Sequence, residues 1–208
     1  KDEIKVFSTR VREESPFAFS NINKHYIEKN NLAKDIPFLL DFTPSVHTTS
    51  DAGNGIGYTG IRIRGSDATR VNVTINGIPY NDSESHGVYW VNMPDLSSSI
   101  NNIQLQRGVG TSSNGASAFG ASINVNTHII NKEAYGTIDN SFGSFNTFKH
   151  SVKAGTGLLN DKFIIDTRLS TITSNGYVDR SDASLKSYYL SGVWLSEFLL
   201  EDQLNLLV

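Results

Sequence analysis

The feature that most limits what this 208-residue chain can fold into is an ordered set of short alternating blocks between residues 60 and 127. The first is Gly60-Ile61-Arg62-Ile63-Arg64-Gly65. The second is Val71-Asn72-Val73-Thr74-Ile75-Asn76-Gly77-Ile78-Pro79. The last is Arg107-Gly108, followed by Phe119-Gly120-Ala121-Ser122-Ile123-Asn124-Val125. Each alternates apolar and polar residues with period two and is bounded by glycine, the pattern of half-buried strands joined by tight turns. With 17 glycines in the chain, such blocks predict a small β-rich unit rather than a helical one.

Taken in order, the blocks resemble the plug domain of TonB-dependent outer-membrane receptors. Residues 61–65 are similar to that family's IRIRG-like strand, and 74–78 to a strand ending in a DGV-like turn. Residues 100–108 are similar to an IERIEV-x-RG-like segment, and 114–125 to a YG-x-x-A-x-GG-V-INI-like finish. The resemblance implies an α+β plug, a small mixed sheet with short helices, over residues 1–130. It further implies that residues 131–208 begin an antiparallel transmembrane β-barrel. The third block departs from the family: Asn101, Asn102 and Gln104 stand where relatives carry an acidic pair and an arginine, and Asn114 replaces a tyrosine.

The alternation beyond residue 131 supports a barrel independently of that resemblance. Phe148, His150, Val152 and Ala154 alternate with Thr147, Lys149, Ser151 and Lys153. Phe163, Ile165, Thr167 and Leu169 alternate with Ile164, Asp166, Arg168 and Ser170, and a third run extends from Tyr188 to Trp194. Strands of about ten residues with one apolar and one polar face fit a transmembrane barrel, although a soluble sandwich can show the same pattern. Tyr135, Phe142, Phe145, Tyr177 and Trp194 stand near strand ends, as interfacial girdles require. Turns are expected at 143–146 and 159–161, and a longer loop at 174–184. Residues 197–208 break the alternation and receive no assignment. Four or so strands cannot enclose a plug, which needs about 22, so more wall is expected than this sequence supplies.

Short helices are expected at 21–30, capped by Ser20, and at 37–42, opened by Pro37 and stopped before Pro44. Near the N-terminus Ile4-Lys5-Val6-Phe7-Ser8 is a short extended segment. The resemblance makes it a TonB box, which adds as a strand to the sheet edge of an energy-transducing partner; alone, it would be an ordinary strand or a frayed tail. Arg62 and Arg64 share one strand face, either the wet face of a soluble sheet or, with Arg107, the plug's contact with carboxylates on a barrel wall. The polar, aromatic loop after Pro79 offers Asp82, Glu84, His86, Tyr89 and Trp90 as ligand candidates, with Val88, Tyr89 and Trp90 alternatively anchoring the loop into the core.

Other chemistries are poorly supported. Gly55-Ile56-Gly57-Tyr58-Thr59-Gly60 spells a dinucleotide fingerprint but is followed by a strand, not the helix that a pyrophosphate needs. Five scattered histidines and no cysteine leave no metal-ligand spacing, cofactor motif or thiol nucleophile, so no enzyme is expected. A net charge of -3 without a basic run argues against nucleic acid. The sequence contains no secretory signal, so Lys1-Asp2-Glu3 is expected to be a mature or trimmed terminus, and no apolar run is long enough to form a membrane-spanning helix. The expected function is that of an outer-membrane receptor of a Gram-negative bacterium, with its plug facing the periplasm. It would take up a ferric siderophore, haem, cobalamin or glycan with energy from a TonB-like partner, amid outer-membrane lipid. The competing reading is a β-rich outer-membrane or periplasmic binding or adhesion module without transport.

Overall fold

The computed structural model describes residues 10–11, 16–109, 118–195 and the backbone of 201–207. Its first part is a mixed sheet ordered β1-β6-β7-β4-β5. These strands are β1 (Phe19–Asn23), β4 (Val71–Ile75), β5 (Ile78–Pro79), β6 (Asn102–Arg107) and β7 (Ala121–Asn126). Strand β4 runs parallel to β7, and the other neighbours are antiparallel. A separate hairpin pairs β2 (Val46–Ser50) with β3 (Thr59–Ile63).

Register divides the mixed sheet into two unlike faces. Val73, Ile123 and Leu105 lie side by side and point into the core, joined by Ile61 and Ile63 of β3 and by Trp90. Burying each such side chain contributes about 1.5–3 kcal/mol. The opposite face carries amides and hydroxyls: Asn72 beside Ser122 and Gln106, Thr74 beside Asn124 and Gln104.

Helix α1 (Lys24–Asn30) is shorter than the expected 21–30. The preceding residues pair with β6 and place Ile22 in the core, so their backbone groups are satisfied in a ladder rather than a helix. The cap is therefore Asn23, whose Oδ1 accepts from Tyr26 N–H at 2.9 Å, and not Ser20. Helix α2 (Ile36–Leu39) has Pro37 in its first turn.

The second part is an antiparallel meander of β8 (Tyr135–Gly143), β9 (Thr147–Gly155), β10 (Phe163–Ser174), β11 (Ala183–Leu195) and β12 (Glu201–Leu207). The unassigned C-terminal stretch thus supplies a strand that pairs with β11. Phe145-Asn146 and Asn160-Asp161 both adopt positive φ and close two tight hairpins, the left-handed geometry that suits twisted strands.

Burial along β9 and β10 is inside out. On β10, Ile164, Asp166, Arg168, Ser170, Ile172 and Ser174 are buried, while the intervening residues are exposed or nearly so. Arg168 is 0% exposed and its neighbour Leu169 is 62% exposed. A sheet stabilised by water would reverse that choice. Phe163 stacks on Trp194 at one end of the meander, and Phe145 meets Tyr177 edge-on at the other. Tyr135 is not part of such a girdle: its hydroxyl donates to Asp166 at 2.5 Å, on the inner side. No described helix is long and apolar enough to cross a membrane, which says nothing about strands.

Candidate functional site

The chemistry of the described residues concentrates where the mixed sheet meets the inner face of the meander. Asp95 sits between two 3-10 turns, Trp90–Asn92 and Leu96–Ser99, with φ 55, a left-handed conformation uncommon outside glycine. Its carboxylate lies 2.5 Å from Lys149 Nζ of β9 and 3.0 Å from Arg168 Nη1 of β10. The Ser170 hydroxyl donates to Oδ2 at 2.6 Å, the Ser98 hydroxyl donates to Oδ1 at 2.6 Å, and Arg168 also donates to the Asp95 carbonyl. Lys149 and Asn31 both donate to Ser98 Oγ, tying the end of α1 into the cluster.

Burial alone would push the Asp95 carboxyl up. The charges of Lys149 and Arg168, with hydrogen bonds from Lys149 and Ser170, outweigh it and hold the group below its ordinary range. The cluster depends above all on its shared anion, because without the Asp95 carboxylate two buried cations would be left unmatched, and an unmatched charge in that setting costs several kcal/mol.

A second contact lies toward the β10–β11 loop. Tyr177 and Val178 donate their backbone N–H groups to Ala52 C=O, and Asn54 Nδ2 donates to Ser174 Oγ at 2.8 Å. Gly53 has φ +74, and a Cβ there would come within 2.9 Å of the Tyr177 ring, so both conformation and space require glycine. Ile56 and Ala33 pack on Ile172. This loop is held from behind by Asp35, which accepts from Thr59 Oγ1 at 2.8 Å. Burial, only partly offset by bonds from Thr59 and Gly57, pushes the Asp35 carboxyl up to about 6.

The predicted site residues distribute unevenly around this boundary. Asp82, Glu84, His86 and Tyr89 are exposed on one loop. Asp82 is already engaged within it: bonds from the Ser85 backbone, the Ser85 hydroxyl and the Glu84 backbone hold its carboxyl low. Trp90 is 3% exposed and packs in the core, so it anchors the loop rather than offering a ligand surface.

Arg62 is exposed, whereas Arg64 has left the strand with φ 51 and does not share the strand phase of Arg62. Arg64 Nη1 donates to Arg107 C=O at 3.4 Å, and Arg107 donates to Pro44 and Phe19 carbonyls. These bonds of Arg64 and Arg107 stay within the first part of the chain. The segment Ile4, Lys5, Val6, Phe7, Ser8 lies outside the described residues. Among the described residues no group of three His, Asp or Glu side chains could hold a metal ion.

Sequence reading missed Asp95, Lys149 and Arg168. Lys149 and Arg168 occupy the polar phase of their strands, and a charge that faces inward on a barrel strand calls for a partner; Asp95 carries no comparable local signal.

A sequence profile described as the TonB-dependent Receptor Plug Domain matches residues 11–122. No curated protein sequence matches significantly. Solved structures similar to this chain include the ferripyoverdine receptor of the outer membrane of Pseudomonas aeruginosa, with TM-score 0.73 and 14% identity over 95% of this chain and 26% of that one. The siderophore receptor PirA from Acinetobacter baumannii aligns with TM-score 0.68 and 18% identity, over 90% of this chain and 30% of its own. The ferric-catecholate import receptor Fiu from E. coli K12 gives 0.71 and 16%, over 92% and 26%. The chain thus spans less than a third of the length of each.

Proposed function

Because this chain belongs to the TonB-dependent receptor plug-domain family, we propose that it forms the plug and opening wall strands of an outer-membrane receptor that imports a scarce solute. The family consists of receptors, not enzymes. The observation that carries the reading is the inverted burial of β9 and β10: Lys149, Ser151, Asp166, Arg168 and Ser170 are buried while Val152, Phe163, Ile165 and Leu169 are left open, as protein on one side and lipid on the other demand.

A ferric siderophore ranks first among solutes, since the receptors of similar fold are named for siderophores; haem, cobalamin and glycans are the other classes. The solute meets the exposed loop of Asp82, Glu84, His86 and Tyr89, and residues 4–8 recruit a TonB-like partner by strand addition. Binding shifts the receptor toward its partner-ready state only to the extent that the solute prefers that state. Arg62, Arg64 and Arg107 remain candidates for contact with wall strands beyond those of this chain.

Val6→Pro tests this reading, because proline removes a backbone donor and fixes φ near -65°. Full-length receptors carrying Val6→Pro and Val6→Thr are compared for surface binding and uptake of one labelled ferric siderophore. The proline variant keeps binding and loses uptake, and the threonine variant keeps both. Undiminished uptake with Val6→Pro moves the binding or adhesion module ahead.

A further inference from the structure

The outward face of the meander carries a groove that an evenly apolar wall would not need. Register sets its side chains in rows across four strands. Ile138, Val152, Leu169 and Tyr188 form an apolar row, and the next row toward the β10–β11 loop is Asn140, His150, Thr171 and Lys186. Beyond it, the ring centroids of Phe142 and Phe148 lie 4.8 Å apart. Thr171 is shorter than His150 and Lys186 on either side, and the notch it leaves continues over Val152, Leu169 and Tyr188 as an open groove of about 630 Å³. With β8 on one side and β12 on the other, strands added at either edge of the meander leave this groove open.

The charge of the polar row is unbalanced. Lys186 is the one Lys, Arg, Asp or Glu in the outward phase of β8 to β11, and it has no ion-pair partner among the described residues. In its own phase the nearest acid is Asp182, four residues back and past the end of the β10–β11 pairing, about 13 Å along the chain. His150 cannot offset the lysine: its Nδ1 lies 2.7 Å from Asn140 Oδ1, and an imidazole can only add a second positive charge. A cation therefore stands without an anion at the head of an apolar groove.

Its height along the wall fits a lipid headgroup. Phe163 and Trp194 stack at the far end of the meander, and Thr171 follows Phe163 by eight residues on β10. That is about 27 Å along the strand and about 20 Å in height at a tilt of about 40°. An apolar band is about 25 Å tall, so Lys186 stands near its opposite edge, where a lysine keeps its stem on apolar surface and its ammonium in the interface. On the receptor reading, β8 rises from a plug that faces the periplasm, which puts the Gly143 turn, the β10–β11 loop and this row toward the outer leaflet.

We propose that the groove binds a phosphorylated glycolipid of the outer leaflet, with a phosphate on Lys186 and an acyl chain along Val152, Leu169 and Tyr188. The proposal rests on the outer-membrane reading. Phosphate supplies the missing anion, and an ammonium donates readily to its oxygens. A sugar headgroup suits the width of the site: from Asn140 to Lys186 the polar row crosses three strand spacings, about 14 Å, more than a single glycerol phosphate covers.

The test is native mass spectrometry of the delipidated full-length receptor with three probes: lipid A bearing two phosphates, the same lipid A without phosphates, and dioleoylphosphatidylglycerol. The bisphosphorylated lipid A binds one to one and about tenfold tighter than either other probe, as expected when a charged contact is added to an apolar one. Lys186→Gln weakens it roughly fivefold, the scale of one lysine beside a lipid phosphate. Thr171→Phe, which fills the notch and keeps the charge, weakens it too. Lys162→Gln, in the β9–β10 turn at the other end of the wall, leaves it unchanged. All three positions face outward or lie in a turn, and heat resistance shows that each variant is assembled.

Equal binding of the phosphate-free lipid A, an equal effect of Lys162→Gln, or unaltered binding in both Lys186→Gln and Thr171→Phe overturns the groove. Phosphatidylglycerol binding as tightly as bisphosphorylated lipid A overturns the assignment to a glycolipid. A mass of two chains that Thr171→Phe returns to one overturns it in favour of a second copy of the receptor. Insertion of the unaltered receptor into phosphatidylcholine vesicles, read by protease protection, is measured apart from these probes; its failure counts against the outer-membrane reading itself.

Discussion

Arg168 Nη1 stands 3.0 Å from Asp95 Oδ2 with both side chains wholly buried, joining the wall to the plug through an acid on the plug and a base on the wall. Lys149 reaches the other carboxylate oxygen, so one anion serves two cations on adjacent strands. The plug's arginines, Arg64 and Arg107, meanwhile donate to carbonyls of their own part of the chain.

The ion cluster predicts unequal effects of removing its members. Asp95→Asn strands two buried cations and is expected to cost about 3–5 kcal/mol of local stability. Lys149→Met leaves the Arg168 pair intact and should cost less, about 1–2 kcal/mol. Hydrogen exchange at residues 96–99 in the full-length receptor measures both. A Lys149→Met loss equal to that of Asp95→Asn would show that the cluster does not depend on its shared anion.

How much of this was legible in sequence depends on the range of the interaction. Strand blocks such as Val71–Ile75 and the Asn76-Gly77 turn follow from period two and from residues that tolerate positive φ, so they could be read directly. The first helix was overextended because Asn21 and Ile22 satisfy a helical spacing as well as a strand, and only pairing with β6 decides between them. Arg64 illustrates the opposite failure: a single left-handed residue ends the strand phase, and nothing in Ile-Arg-Ile-Arg announces it. Asp95 and Arg168 are 73 residues apart, and such contacts are set by how the wall wraps the plug rather than by any local pattern.

Asp35 predicts a pH dependence with a definite sign. Its carboxyl is pushed from 3.8 up to about 6 in the fold, so its contribution to stability is complete below 3.8 and is lost as pH rises through 6. Two units correspond to about 3 kcal/mol between pH 4 and pH 8. Exchange protection of residues 53–57, which Asp35 holds against the wall, should fall over that interval. Asp35→Asn keeps an acceptor for Thr59 and should flatten the profile. A profile that remains equally steep in that variant would assign the titration to another group.

Tyr89 and Trp90 are neighbours with opposite surroundings, and their substitutions should separate binding from folding. Trp90 is 3% exposed and Tyr89 is 49% exposed, because the 3-10 turn that starts at Trp90 turns the indole into the core and leaves the phenol outside. Trp90→Ala removes a large core side chain and is expected to cost about 3–5 kcal/mol, with loss of assembled receptor. Tyr89→Ala lies at the surface and should change stability by less than about 0.5 kcal/mol. If the loop meets solute, Tyr89→Ala weakens ferric siderophore binding by about tenfold, the scale of losing one aromatic contact worth more than 1 kcal/mol. Binding is read by titration of the detergent-solubilised receptor, and assembly by its heat resistance. Unchanged affinity in a fully assembled Tyr89→Ala receptor would remove this loop from the solute site and turn attention to the loop of Gly53 and Asn54, which lies against Tyr177 and Ser174 of the wall.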